Sequence, residues 1–329
     1  MIHQKGISVV IPNYNGATLF PQTLPAVFEA LVRSKLPWEV IISDDCSTDD
    51  SIAYLRENFP QIKLLQAGTN AGFAPTINKG IFAAQYDLVL LLNSDVKLSP
   101  DYFEKQLPYF EAEDTFGIMG RIIGWDDDAI QDGGKFPGAH GIKIKTSGNY
   151  VPANPANKAL LPSMYLSGAN ALVSREKIIT LGGFNEIFAP FYVEDVELSL
   201  RAWRLGWKCY YEHNSICRHR ISSSIKAKSK KIYIKKIYYR NKMFLHAIHL
   251  QPGQRFLWHL QLGLEVLVQL ILGKFWWLSS LKMYMCTRKE VRASRENLKK
   301  AAGKTGLLST DTVMKKILHS LGFIPLKRF

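Results

Sequence analysis

The chain has 329 residues, is 47% apolar and carries 42 Lys and Arg against 28 Asp and Glu. That composition excludes disorder as the default state, and the length supports one large domain or two modest ones without disulfide or zinc staples. The net charge of +14 is uneven: residues 1–217 sum to −6 and residues 218–329 to +20, an acidic body with a basic tail suited to nucleic acid or an anionic membrane face.

Cys46, Cys209, Cys217 and Cys286 form no CxxC pair and no even ladder, which fits a reducing compartment. No signal-peptide pattern opens the sequence, so the active face is expected in the cytosol. Ile7 to Pro12 is a short apolar run stopped by Asn13-Tyr-Asn-Gly16, and Thr18 to Val32 has helical apolar spacing. The same alternation follows twice. Trp38 to Ser43 leads through Asp44-Asp-Cys-Ser-Thr-Asp49 to a helix ending near Asn58, and Ile62 to Gln66 leads through Asn70-Ala-Gly72 to a helix ending near Ala84. Asp87 to Asn93 is apolar on both faces, as expected of a central strand covered on each side, and ends in Ser94-Asp95. Alternating strand and helix predicts an α/β fold, an open doubly wound, mostly parallel sheet whose ligands bind beyond the strands' carboxyl ends.

From 116 to about 165 the pattern loosens into Gly- and Asp-rich hairpins or loop. A strand is predicted over 165–174 and a helix over 196–205, opened by Glu194-Asp195. The tail, 226–329, differs in kind from a catalytic region at 1–225. Its residues 226–242 alternate basic with Ile and Tyr, and Phe256 to Leu278 is strongly apolar, with Gln261, Glu265 and Gln269 on one stripe and Trp276-Trp277 suited to a headgroup region. This segment suits a helix lying in a bilayer interface, with packing on the body as the alternative.

Several residues invite chemistry. Asp95, just past the central strand, can meet a hard cation or merely cap a turn. Asp44 and Asp45 can accept bonds from a base or ribose, or cap the next helix. Asn70, Gly72 and Asn78 carry the same double reading, since Gly72 could allow close approach of a nucleotide. Glu194 and Asp195, after an aromatic run and a Gly-Gly-Phe turn, suit a partly desolvated general base. Arg201 could order either acid, and His213 or His219 could complete a metal site with Asp95.

Taken in order, Val9-Val-Ile-Pro-Asn-Tyr-Asn-Gly16, Ile42-Ser-Asp-Asp-Cys-Ser-Thr-Asp49, Asn70-Ala-Gly-Phe73, Asn78-Lys-Gly80, Leu92-Asn-Ser-Asp95, Ser167-Gly-Ala-Asn170, Gly182-Gly-Phe-Asn-Glu186 and Tyr192 to Arg201 closely resemble family 2 inverting glycosyltransferases of the GT-A type. Tyr239-Arg-Asn241 and the Asn at position 93 resemble the rhamnosyltransferase-like branch. The resemblance implies donor-nucleotide contacts from Pro12, Tyr14, Asn15, Asp44, Asp45, Asn70, Gly72, Asn78, Asn93 and Ser94. It implies Mg²⁺ or Mn²⁺ held by Asp95 and His219, Asp195 as catalytic base, and Gly168, Asn170, Glu194 and Arg201 around the acceptor. Asn93, in place of the first acid of the family's DxD, leaves less anionic charge for the cation. The expected partners are a nucleotide diphosphate sugar, dTDP- or UDP-linked, a glycan or lipid-linked acceptor, and the anionic inner face of a membrane. Two alternatives stay open: a polyprenyl-phosphate sugar synthase, and a non-catalytic protein binding nucleotide or nucleic acid, although no recognised nucleic-acid motif accompanies the charge.

Overall fold

The computed structural model describes residues 5–145, 148–156, 159–220 and 231–329. The start of the basic stretch read at 226–242 therefore lies outside the described residues. Strands β1 (Ile7–Asn13), β2 (Trp38–Asp44) and β3 (Lys63–Gln66) run parallel side by side, with β4 (Leu88–Leu92) parallel to β1 on its other flank. Helices α1 (Phe20–Ser34), α2 (Ser51–Asn58) and α3 (Phe73–Ala83) supply the crossovers where the apolar spacing predicts them. Alternate residues of the strands serve different layers: Ile7, Val9, Ile11, Leu90 and Leu92 pack with Phe20, Leu24 and Leu31 of α1, whereas Val10, Val89 and Leu91 pack with Ile77 and Ile81 of α3.

The second half of the sheet is mixed. After the short β5 (Val96–Leu98) comes β6 (Thr115–Gly124); β7 (Asn170–Ser174) then runs antiparallel to both β4 and β6, and β8 (Lys208–His219) parallel to β6. Strand β6 corrects the sequence expectation of loop or hairpin from residue 116. Its glycines hide the strand pattern, and they are there because neighbours approach closely: a Cβ at Gly117 would lie 2.7 Å from the Leu172 carbonyl oxygen.

After α4 (Arg175–Thr180) and α5 (Glu194–Arg204), the tail folds into α6 (Lys231–His249), α7 (Pro252–Ile271), α8 (Phe275–Cys286), α9 (Arg288–Ala302) and α10 (Thr310–Leu321). Phe244, Trp258, Trp277, Val291 and Ile317 share one apolar cluster with Val10, Leu91 and Phe116 of the body, so packing crosses the boundary expected near 225. Trp277, only 4% exposed, is a core residue, contrary to the expected headgroup contact.

Helix α7 is turned inside out. Glu265 of its polar stripe pairs with Lys143 and accepts a bond from Gln261 (2.8 Å), so the polar residues face the body. Phe256, Leu260, Leu264, Leu267 and Ile271, each more than half exposed, form the outer face. Among the described residues, no helix is long and apolar enough to cross a membrane.

Replacing Gly117 with Ala is expected to destabilise the chain by about 1–3 kcal/mol through overpacking against Leu172 and Val173. A lowered denaturation midpoint at unchanged slope would bear this out, and an unchanged midpoint would contradict it.

Candidate active site

Backbone register assembles the site. Asn170 of β7 lies opposite Leu92 of β4, and the Asn93 N–H donates to the Ala169 carbonyl (3.1 Å), so the turns 93–95 and 167–169 sit side by side. Pairing of β5 with β8 sets His219 opposite Val96, and the Arg220 N–H donates to the Asp95 carbonyl (3.1 Å). His219 Nε2 thereby comes 3.5 Å from Asp95 Oδ1. His213, the other candidate, is buried away from Asp95 against Arg121 and the Tyr211 hydroxyl, and burial pushes its pKa down to about 4.

The loops after β1 and β2 are knitted together. Asp44 accepts from Asn13 Nδ2 (2.8 Å) and from the backbone N–H (2.9 Å) and hydroxyl of Ser47. Asn15, at φ 58°, accepts the Thr48 N–H (2.8 Å), while Pro12 is half-buried and Tyr14 is 41% exposed on the same rim. Asp45 clamps the next loop, with one carboxylate oxygen on the Ala71 N–H (2.8 Å) and the other on the Gly72 N–H (2.9 Å), and its carbonyl receives Asn70 Nδ2 (3.2 Å). Gly72, at φ 90°, is required: a Cβ there would meet the Pro190 Cα at 2.7 Å.

Three expected site residues serve the framework instead. Asn78 uses its amide on the Phe184 carbonyl (2.9 Å), Glu186 Oε1 (3.0 Å) and the Phe184 N–H (2.8 Å), which leaves little capacity for a nucleotide. Arg201 binds neither Glu194 nor Asp195. It pairs with Glu197 (2.9 Å) and donates to the Leu181 (2.6 Å) and Gly183 (2.8 Å) carbonyls, because i to i+4 spacing from Glu197 sets it on that face of α5. Asn170 is fully buried in the sheet, donating to the Gly120 carbonyl (3.0 Å).

The acid pair opens α5 after Tyr192 (φ 76°) and Val193 (φ 75°), a conformation rare for a β-branched residue. That strain is held from α6. Asn241 Nδ2, fully buried, points at the carbonyls of Phe188 (2.7 Å), Phe191 (3.0 Å) and Tyr192 (2.8 Å), and Arg240 reaches the Ala189 carbonyl (2.5 Å). The Phe73 N–H closes the other side on the Pro190 carbonyl (3.0 Å).

Glu194 is 9% exposed and its Oε2 is buried without a hydrogen-bond partner; Asp195 keeps part of its surface open. Burial raises the proton affinity of both carboxyls, and Glu194 is pushed further by the Asp195 charge. Against burial and the opposing charge of Asp132, Asp195 receives the Val196 N–H (2.8 Å), feels the charge of buried Lys135, and lies against the Gly168 backbone. The environments push the two acids apart, leaving Asp195 the more readily ionised. Lys135, paired with Asp132, and Asn241 were missed as site residues in the sequence; the Asp132-Gly-Gly134 cluster and the Tyr239-Arg-Asn241 run were their only signals.

The cation question turns on donors. Asp95 Oδ1 is buried with no hydrogen-bond partner, His219 is adjacent, and the half-buried Asn93 and Ser94 flank them. Among the described residues no cluster of three His, Cys, Asp or Glu forms a closed metal site. One carboxylate and one imidazole fit a cation whose remaining ligands come from a diphosphate.

Residues 8–181 match the family model described as Glycosyl transferase family 2. The chain belongs to that family. Relatives include the N-acetylglucosaminyl-diphospho-decaprenol L-rhamnosyltransferase of Mycobacterium tuberculosis, 28% identical over 55% of this chain and 66% of its own length. The putative teichuronic acid biosynthesis glycosyltransferase TuaG of Bacillus subtilis is 35% identical over 64% of this chain and 88% of its own. Thus the chain spans just under two thirds of the mycobacterial relative. Among solved structures, GalNAc-T7 with UDP, GalNAc and Mn²⁺ has a TM-score of 0.65 at 14% identity, covering 99% of this chain and 59% of that one. The Pyrobaculum calidifontis mannosyltransferase with GDP-Man and Mn²⁺ has a TM-score of 0.52 at 16% identity, covering 98% and 87%. These likenesses agree with the GT-A fold expected from the motifs.

Because the folded state raises the Glu194 pKa, its stability contribution is fully present at low pH and declines as pH climbs above the ordinary carboxylate range. Glu194→Gln should flatten that decline, gaining stability relative to wild type at about pH 8 but not at about pH 5. Equal differences at both pH values would show that Glu194 is not the group responsible. Asn241→Ala, which orphans the Phe191 and Tyr192 carbonyls and leaves Phe188 only a long bond from Arg240 (3.4 Å), should lose about 1–3 kcal/mol in the same denaturation assay.

Proposed function

We propose that this chain is an inverting glycosyltransferase. It would move a sugar from a dTDP- or UDP-linked donor, rhamnose among the candidates, to a glycan or lipid-linked glycan acceptor in cell-surface polysaccharide synthesis. The observation that carries the reading is the buried Glu194–Asp195 pair, set against Gly168 on the same sheet edge as the Asp95–His219 pair. Likeness to a rhamnosyltransferase acting on a lipid-linked sugar and to a teichuronic acid glycosyltransferase supports the donor and acceptor classes.

In this mechanism Asp195 takes the acceptor hydroxyl's proton as that oxygen bonds to the anomeric carbon. The bond from that carbon to the diphosphate oxygen breaks on the opposite face, so configuration inverts. Asp95 and His219 would hold Mg²⁺ or Mn²⁺, whose charge offsets that of the leaving diphosphate. Pro12, Tyr14 and the loops fixed by Asp44 and Asp45 would cradle the base and ribose.

The reading includes peripheral attachment to the anionic cytoplasmic face of a membrane. The outer stripe of α7 supports it: large apolar side chains along a helix of about 30 Å, in a tail, 218–329, carrying a net charge of +20 that would repel a second copy and attract acidic headgroups.

Asp195→Asn should retain donor affinity yet reduce transfer by about two to four orders of magnitude, the range of a lost general base; wild-type turnover would sink the mechanism. In wild type, kcat/KM should fall toward acid pH with a midpoint above the ordinary carboxylate range, since the base must ionise against its burial. Leu260→Asp with Leu264→Asp should abolish co-sedimentation with phosphatidylglycerol vesicles while leaving the melting temperature within a few degrees. Undiminished vesicle binding would argue against the α7 face.

A further inference from the structure

Away from the sheet edge, two adjoining clefts open among α7, α8, α9 and the end of α5. The larger, of about 400 Å³, sets Arg204, Gln251, Arg255, Arg295 and Lys299 against a wall that is otherwise largely apolar, Ile248, Leu250 and Leu307 among it. The smaller, of about 150 Å³, shares Arg255 and Arg295 and adds Arg288 and Arg292. Six cations thus line two neighbouring clefts that share Arg255 and Arg295. Among the described residues, Arg204, Arg255, Arg288 and Arg292 form no ion pair; the nearby acids are buried Glu197, already paired with Arg201 and reaching Arg204 only across His249, and exposed Glu296, paired with Lys299 at 3.0 Å and with Arg295 at 3.8 Å.

Such a grouping is unfavourable unless an anion joins it. Arg255 is held below the ordinary guanidinium range by burial and by the Arg295 charge, and burial of Arg204 lowers its pKa to about 10. Arg204, only 7% exposed, is also fixed in place: Nε donates to the Leu308 carbonyl (3.0 Å), and Nη1 lies 3.4 Å from His249 Nδ1. An anchored guanidinium with others converging on one space is the arrangement that grips phosphate oxygens in pairs.

We propose that these clefts form a phosphate-group site, separate from the donor site, for a phosphate monoester or diphosphate. Arg255 immediately precedes Phe256, the first residue of the apolar stripe on α7, so the ligand has two sources: a lipid headgroup or a free phosphate compound.

The test uses the full chain in metal-free buffer, titrated with inorganic pyrophosphate by calorimetry. Wild type and Asp95→Ala should bind alike, and Arg255→Gln with Arg295→Gln should lose at least about tenfold in affinity, the minimum for one charge-assisted bond. Arg292→Gln with Lys299→Gln, at exposed positions that do not threaten folding, should weaken binding in the same direction. Co-sedimentation with phosphatidic acid, whose headgroup is a phosphate monoester, in phosphatidylcholine vesicles, against phosphatidylcholine alone, separates the sources. Parallel loss on vesicles assigns a headgroup phosphate; unchanged vesicle binding assigns a soluble one. No pyrophosphate binding by wild type, binding that survives both double substitutions, or binding that disappears in Asp95→Ala would overturn the proposal.

Discussion

The site depends on one buried amide. Asn241 sits among three carbonyls of the loop from Phe188 to Tyr192, and that loop delivers Glu194 and Asp195 through two consecutive residues at positive φ. Left to itself, Val193 would relax to an extended or helical conformation and α5 would begin elsewhere. The clamp comes from α6, so a helix in the basic tail positions acids more than forty residues before it in sequence. Asp45, Gly72 and Phe73 close the loop from the opposite side, joining the donor-side turns to the acid pair.

Around this loop the polar groups divide into those already satisfied by protein and those left open. Asn78 and Arg201 are fully engaged in pinning the turn at 181–186, and Asp44 and Asp45 in shaping the β1 and β2 loops. Asp95 Oδ1 and Glu194 Oε2 are buried without a hydrogen-bond partner, a condition that costs free energy unless a ligand or a proton answers it. The first suits a cation and the second suits a neutral acid. In the proposed mechanism the first would meet the cation on the donor diphosphate, while Asp195, next to the second, takes the acceptor's proton.

The tail serves the body and the exterior together. Its buried residues complete the core that contains β1 and β4, while α7 turns its polar stripe toward Lys143 and its large apolar side chains outward. Each such side chain would gain roughly 1.5–3 kcal/mol on leaving water, so an exposed row of them points to a surface that covers it. The arginine clefts lie beside that row and share its helix.

Much of the fold was legible in the sequence because period-2 and helical spacing survive wherever a strand or helix has one consistently buried face. Strands β1 to β4, helices α1 to α3 and the polar turns after each strand follow from local pattern, as do the place of Asp95 just past the central strand and the acid pair Glu194-Asp195 at a helix start. Strand β6 was not legible, since its glycines answer to the Leu172 and Ser215 carbonyls packed against it and carry no periodic signal of their own. The choice of His219 over His213, the capture of Arg201 by Glu197 and the grip of Asn241 on a distant loop were likewise beyond reach. Each is decided by which carbonyl or carboxylate lies within about 3 Å across tens of residues of chain, and only the packed tertiary structure sets those distances. The sequence determined which side chains were available and along which elements they ran; the fold decided which would be consumed as framework and which remained free to meet a substrate.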